Sequence, residues 1–209
     1  MDKTASAIVI TGDIIASSKL STAARKKLQN KIDSFISKIS ANLPDFKVEQ
    51  FRGDSVQCIL TKNKVSALRT AVSLYCYLAP EDFKIRQSVG IGEISYSGNN
   101  IVTSDGTAFR ISGENIDELK KRNELINVAS AEASFNEEWK VHCASLNYLL
   151  ERLSNAQAEA LYLQLQYVRQ EEIARTLGIS QPSVHQRLQA AGWSVINPML
   201  QRFETVNAV

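Results

Sequence analysis

Two aspartates in the N-terminal half each follow a glycine: Gly12-Asp13 in "AIVITGDIIASSKLS" and Gly53-Asp54 in "EQFRGDSVQCIL". Both stand where an apolar, β-branched run breaks, so each carboxylate is carried at a strand end or in the turn beside it. Two carboxylates held together are a donor set for Mg²⁺, which keeps water and phosphate oxygens as its other ligands. Two such metals about 4 Å apart suit phosphoryl transfer. After Asp13, the small residues of "IIASSKLS" lead into a helix N-terminus, where backbone N–H groups receive phosphate. Gly-Asp pairs also make ordinary turns. For either pair alone that account suffices, so the chemistry depends on whether the fold brings Asp13 and Asp54 to one edge.

The elements that must do this are legible. Ala7 to Asp13 is a continuous apolar run ended by Gly-Asp, the pattern of a central strand. From Ser21, apolar residues at Leu28, Ile32, Phe35, Ile36 and Ile39 recur at helical spacing, with Ser21 as N-cap and Pro44 as the stop. "FKVEQFRGDSVQCIL" reads as strand, tight turn near Gly53, and strand: a hairpin. A second helix covers roughly 64–78. "KIRQSVGIGEISYSG" is a long strand whose Gly90 and Gly92 permit close approach of backbone or ligand. "TAFRISGENIDELKKRN" is helical and "ELINVAS" a short strand. This order predicts an α/β sandwich with an antiparallel hairpin inside a mixed sheet. In such a sheet both aspartates emerge at the same edge. Glu93 either joins them or faces solvent, and Gln57 either faces their cleft or is a satisfied polar edge residue.

Near Asn136 the pattern becomes all-helical. Trp139, Leu146 and Leu153 recur at sevens, with Cys143, Leu149 and Leu150 on the same face. That is the face of a connecting helix packed on its own domain, or the seam of a dimer. The boundaries that follow are 1–135 for the α/β domain, 136–153 for the connecting helix, and 154–209 for a helical domain.

In that last segment, "QEEIARTLGISQPSVHQRLQAAGW" agrees with a helix-turn-helix at every local choice. Ile173, Leu177, Ile179, Val184 and Leu188 supply the inner contacts of two short helices. Gly178 stands where the turn needs an unhindered backbone, Ser180 caps the second helix, and Pro182 is tolerated only in a first turn. The second helix presents Gln181, Ser183, His185, Gln186 and Arg187, which can bond base edges and phosphates in a major groove. With "LSNAQAEALYLQLQ" as a supporting helix, the segment resembles region 4 of sigma factors and related bacterial regulators.

Composition narrows the setting. The chain has 209 residues and a formal net charge of +2. From Glu151 to Val209 five arginines face five glutamates, so DNA binding there must rely on placement rather than bulk charge. Cys58, Cys76 and Cys143 are widely spaced and lack a CxxC pair, which argues for buried thiols in a reducing compartment over disulfides or zinc. No apolar run reaches the length of a membrane span. The expected location is cytoplasmic, with no membrane partner.

The N-terminal motifs together resemble class III nucleotidyl cyclases. "GDIIASSKLS" is similar to their first metal-binding segment, "EQFRGDSVQCIL" to their Gly-Asp hairpin, "VGIGEI" to the following strand, and "SDGTAFRISGENIDEL" to the helix facing the nucleotide. Diguanylate cyclases and polymerase palm domains share the layout. The whole chain resembles the SatD family of bacterial proteins, which join such a domain to a sigma-like helix-turn-helix. The resemblance covers roughly residues 7–130 and 154–193. It implies a ferredoxin-like, cyclase-like palm fold, with Asp13 and Asp54 as Mg²⁺ ligands and Gly53 as the hairpin glycine. It further implies that Ser17, Ser18 and Lys19 cradle phosphate, and that Asp105 and Gly106 open the third segment. Cyclases also carry an asparagine and an arginine on that third helix. Here Ser112 and Gly113 stand where an Ala-Arg pair is expected, leaving Arg110 or Arg52 as the substitute cation. Losing such a cation costs orders of magnitude in rate.

Three readings follow. The first is a homodimeric regulator that binds a nucleotide or another phosphate ligand with Mg²⁺ and binds DNA. The second is an active nucleotidyl cyclase or nucleotidyltransferase controlled by its helix-turn-helix. The third is an adaptor in which both aspartates only form turns.

Overall fold

The structure is a computed structural model, and it describes residues 4–43, 46–51, 54–95 and 104–208. Five strands form one mixed sheet: β1 (Thr4–Ile14), β2 (Lys47–Phe51), β3 (Ser55–Leu60), β4 (Ile85–Ser95) and β5 (Ile126–Ala129). Their spatial order is β2-β3-β1-β4-β5. All neighbours are antiparallel except β4 and β5, which run parallel. The helices between them are α1 (Thr22–Asn42), α2 (Ala67–Leu78) and α3 (Thr107–Arg122). The first four strands with α1 and α2 make the βαββαβ order of ferredoxin-like and palm domains, and α3 and β5 extend the sheet by one strand. The predicted element order is therefore the observed one. Ser21 caps α1 by accepting the amide of Ala24.

The strands' alternation sorts their side chains to two faces. Ile8, Ile10, Ile14, Val56, Cys58, Leu60, Ile85 and Val89 face α1 and α2. Ala7, Val9, Ile59 and Ile94 meet Ala108 of α3 on the other face. Here Gly90 and Gly92 show their purpose. A Cβ at Gly90 would stand 2.5 Å from the carbonyl oxygen of Ala108, so the close neighbour these glycines admit is the backbone of α3.

Five more helices follow: α4 (Ala133–Glu151), α5 (Asn155–Leu165), α6 (Gln170–Leu177), α7 (Gln181–Ala190) and α8 (Trp193–Val206). The heptad face of α4 turns inward. Trp139, Cys143, Leu146 and Leu150 are buried in the chain's own core, so that face packs within the chain and is not open as a dimer seam. The same helix closes the open edge of the sheet. The Asn147 side chain accepts the amides of Leu125 (2.6 Å) and Ile126 (2.9 Å) and donates to the Ile126 carbonyl (3.0 Å). Asn136 bonds both the amide (2.8 Å) and the carbonyl (2.9 Å) of Ser130 just beyond β5. Two asparagines thus take up peptide groups that an exposed edge would offer to another strand.

One hydrophobic core runs through both halves. In α2, eleven residues from Ala67 to Leu78 are buried, because α1 and the sheet cover one side and α5 and α8 the other. Tyr75 donates from this helix to the carbonyl of Leu150 (2.9 Å), and Arg69 bonds Glu204 of α8 (2.7 Å). No helix among the described residues is long and apolar enough to cross a membrane.

Candidate functional site

The pairing of β1 with β3 sets Asp13 directly opposite Ser55, the residue after Asp54. The amide of Ile14 donates to the Asp54 carbonyl (2.9 Å). Both aspartates thus stand at one end of the sheet, Asp13 in β1 and Asp54 in the turn that leads into the neighbouring β3, because β1 ends where the β2–β3 hairpin turns. The Asp54 carboxylate accepts the Ser17 hydroxyl (2.8 Å). Asp13, on the α3 face, is ion-paired with Lys120 in the last turn of α3 (3.4 Å).

Ser17 to Lys19 form one turn of 3-10 helix entered through Ala16, which sits in the left-handed region at φ 58°. An alanine there carries roughly 1 kcal/mol of strain, so the turn is held in place by its surroundings. Within it, the Lys19 amide bonds Ala16 (2.9 Å) and the Leu20 amide bonds Ser17 (3.2 Å). Ser18 and Lys19 are exposed, and the Ser18 carbonyl accepts Arg25 (3.3 Å).

Other expected members stand elsewhere. β4 runs antiparallel to β1, so Gly92 lies opposite Ala7 and Glu93 opposite Ser6. Six or seven strand residues separate that level from Asp13, which is about 20 Å or more. Glu93 therefore does not join the aspartates. Asp105 and Arg110 lie at the same remote end, because the Thr107 hydroxyl that opens α3 accepts the Glu93 amide (2.8 Å). Asp105 itself accepts the Gly106 amide (2.6 Å), and Arg110 is exposed. Within one chain Arg110 does not supply the missing cation. Arg52 and Gly53 lie outside the described residues. Gln57 donates to Thr11 (3.3 Å), which bonds Ser112 of α3 (2.9 Å), so it is a satisfied polar residue on the Asp13 face.

Lys120 is the residue that sequence reasoning missed. Its only linear signal is the basic run at 120–122, which reads as a solvated helix end. Its meaning requires knowing that α3 crosses β1 on the sheet's free face. Asp13 on β1 and Asp54 in the turn before β3 are carboxylate donors, the donor chemistry Mg²⁺ prefers when phosphate and water complete its shell. Among the described residues no group of three or more His, Cys, Asp or Glu side chains gathers as a metal site. The three thiols take no part: burial pushes Cys58 and Cys143 up to about 12, and Cys76 higher still.

The second candidate surface is the helix-turn-helix. α6 ends at Gly178 in the left-handed conformation (φ 64°), and the Ile179 amide reaches back to the Ala174 carbonyl (3.0 Å). This glycine-terminated turn frees α7 to leave at an angle. Ser180 caps α7 by accepting the Ser183 amide (3.3 Å). Ile173, Val184 and Leu188 are buried, whereas Gln181, His185 and Gln186 are exposed. Ser183 and Arg187 are half-buried, and the Ser183 hydroxyl is engaged with Ser180 (2.8 Å). Gln189, one turn beyond His185 and equally exposed, joins this face and was not anticipated.

The family model described as Sigma-70, region 4 matches residues 144–191, which span the end of α4 through α7. No curated protein matches the chain. Among solved structures, a bacterial light-regulated adenylyl cyclase aligns with a TM-score of 0.44 and 19% identity, over 60% of this chain and 76% of that one. The adenylyl cyclase CyaB from P. aeruginosa gives 0.43 and 17%, over 61% and 78%. The guanylyl cyclase Cya2 gives 0.42 and 10%, over 61% and 76%. The fold stands on its strand order and register. The chain thus joins a palm-type sheet to a helix-turn-helix similar to sigma-70 region 4.

Proposed function

We propose that the protein is a homodimeric DNA-binding regulator whose palm domain binds a nucleotide, or another phosphate ligand, with Mg²⁺. The observation that carries this reading is the shared core. The supporting helix of the helix-turn-helix, α5, packs on α2, which walls the sheet that positions Asp13 and Asp54. A ligand that binds two arrangements of that core unequally shifts the recognition helix between them. The division at 135 and 153, and the likeness of motif order to the SatD family, belong to this proposal.

In this reading Asp13 and Asp54 hold Mg²⁺, which neutralises phosphate charge when bound. Ser17 orients the Asp54 carboxylate through its hydroxyl. Lys120 holds a positive charge on Asp13 and passes to a phosphate oxygen when one arrives. Ser18 and Lys19 present exposed polar groups at the mouth. The second reading is a nucleotidyl cyclase or nucleotidyltransferase, which the two aspartates at one end of the sheet favour.

Thermal unfolding with each nucleoside triphosphate, with and without Mg²⁺, tests the site in the parent and in Asp54→Asn. At a hundred times its dissociation constant a ligand stabilises by about 2.7 kcal/mol, or roughly 5–10 °C at this chain length. The expected result is a Mg²⁺-dependent rise that Asp54→Asn abolishes. Asparagine still accepts the Ser17 hydroxyl, so the variant keeps the local fold. No rise with any nucleotide overturns the nucleotide site. Turnover of the stabilising nucleotide to a cyclic or transferred product would select the enzyme.

A further inference from the structure

α4 carries a second stripe, opposite its buried face. Val141 (67% exposed) and Tyr148 (58% exposed) stand seven residues apart, with Ala144 and Ser145 between them. Val195 of α8 (45% exposed) lies alongside. Ala144, Ser145, Tyr148, Leu149 and Val195 line a shallow groove of about 440 Å³. Among the described residues the large exposed hydrophobics are Val141, Tyr148, Tyr167 and Val195, so three of the four gather here. Scattered singly they would need no explanation, but a cluster along one helix face marks a contact surface.

The stripe continues at helical spacing to Glu137 on one side and Arg152 on the other, both exposed. Read along the helix, it runs acid, bulky apolar, small, small, bulky apolar, base. Reversed and laid on itself about a centre between Ala144 and Ser145, it sets Val141 on Tyr148 and Glu137 on Arg152, each twice. Glu137 has no ion pair among the described residues. Arg152 lies over its own Tyr148 ring (3.7 Å), and its nearest carboxylate is that of Glu151 at 3.9 Å.

We propose that this face is where a second copy of the chain docks, α4 against α4, antiparallel about a two-fold axis near Ala144 and Ser145. A two-fold contact requires one patch to complement itself, which is the property this stripe has. A different partner would not require the palindrome. The small residues at the centre let the helix axes approach, and the bulky ones fill the flanks. Val195 widens the buried strip beyond a single helix. The inference deepens the pairing in the proposed function by naming its face, and it needs neither the nucleotide site nor DNA.

Sedimentation equilibrium of the full chain across a wide concentration range tests it. The expected result is a two-chain mass that dissociates on dilution. Tyr148→Glu should shift the chain to the one-chain mass. Glu137→Arg and Arg152→Glu should each raise the dissociation constant about tenfold, as opposed charges become like ones. The double variant, Glu137→Arg with Arg152→Glu, should restore it, because every pair across the axis is then reversed. These positions are exposed, so unchanged circular dichroism and melting will confirm that each variant is folded. A two-chain mass indifferent to Tyr148→Glu overturns the face while leaving dimerisation intact. Weakening by both single variants without rescue overturns the antiparallel arrangement. A one-chain mass at every concentration overturns this proposal and the homodimer together, and leaves the nucleotide test to stand separately.

Discussion

Lys120 decides what Asp13 can do. In the proposed site its ammonium group and Mg²⁺ would compete for one carboxylate, and the same ammonium would be at hand for a phosphate. Removing it therefore has opposite effects on two ligands. Lys120→Met should tighten Mg²⁺ binding in the absence of nucleotide and weaken binding of the Mg²⁺–nucleotide. Each change should be about fivefold, the worth of roughly 1 kcal/mol for a half-exposed ion pair. Isothermal titration of Mg²⁺ alone, and then of nucleotide in excess Mg²⁺, separates them. A parallel loss of both would mean that Lys120 only braces α3. The same contrast marks the limit of residue-level reading. Asp13, Asp54 and Ser17 could be picked out because Gly-Asp punctuation and a short polar loop are local signals. Lys120 could not, because its partner is more than a hundred positions away.

At the scale of elements, most of the order was legible and the placement was only partly so. Periodicity located the strands and the helices up to α5 but did not mark α8, and Gly178, Ser180 and Pro182 fixed the turn between α6 and α7 by their backbone chemistry alone. What the sequence withheld was which end of the sheet each loop reaches. Glu93 was open between joining the aspartates and facing solvent, and Arg110 was one of two candidate cations, but the antiparallel register of β1 and β4 puts both at the far end. The heptad on α4 was ambiguous for a related reason: an apolar stripe reports that it is covered, not by what. α7 brings a further expectation. Its exposed face is rich in amides, and the helix-turn-helix segment offers only Arg169, Arg175 and Arg187 as cations. If each neutralises one phosphate, the salt dependence of DNA binding should be shallow, with a slope near −3 per chain in log K against log salt. Fluorescence anisotropy with a selected duplex at several salt concentrations measures it. A slope far steeper would place the contact surface on a more basic part of the molecule.

For the whole molecule, the consequential contact is between α2 and α8. Arg69 is nearly buried, gives two nitrogens to Glu204, lies under the Tyr167 ring, and leaves Nη1 without a partner among the described residues. Removing the carboxylate strands that charge, whereas replacing the arginine with an apolar chain removes the problem. Glu204→Ala should cost about 2–3 kcal/mol of unfolding free energy in urea, and Arg69→Met clearly less. Equal costs would mean that the pair contributes through packing alone. α2 also governs the order in which the chain can be completed. Its inner side is satisfied once the sheet forms, but the helices that cover its outer side lie at 155–165 and 193–206. On the ribosome the sheet domain would emerge with an apolar flank bare, and would keep it bare until α5, and then α8, has been made. A chain stalled before α5 is thus a ready substrate for chaperones and proteases, so truncated copies that carry the aspartates without the helix-turn-helix would be cleared.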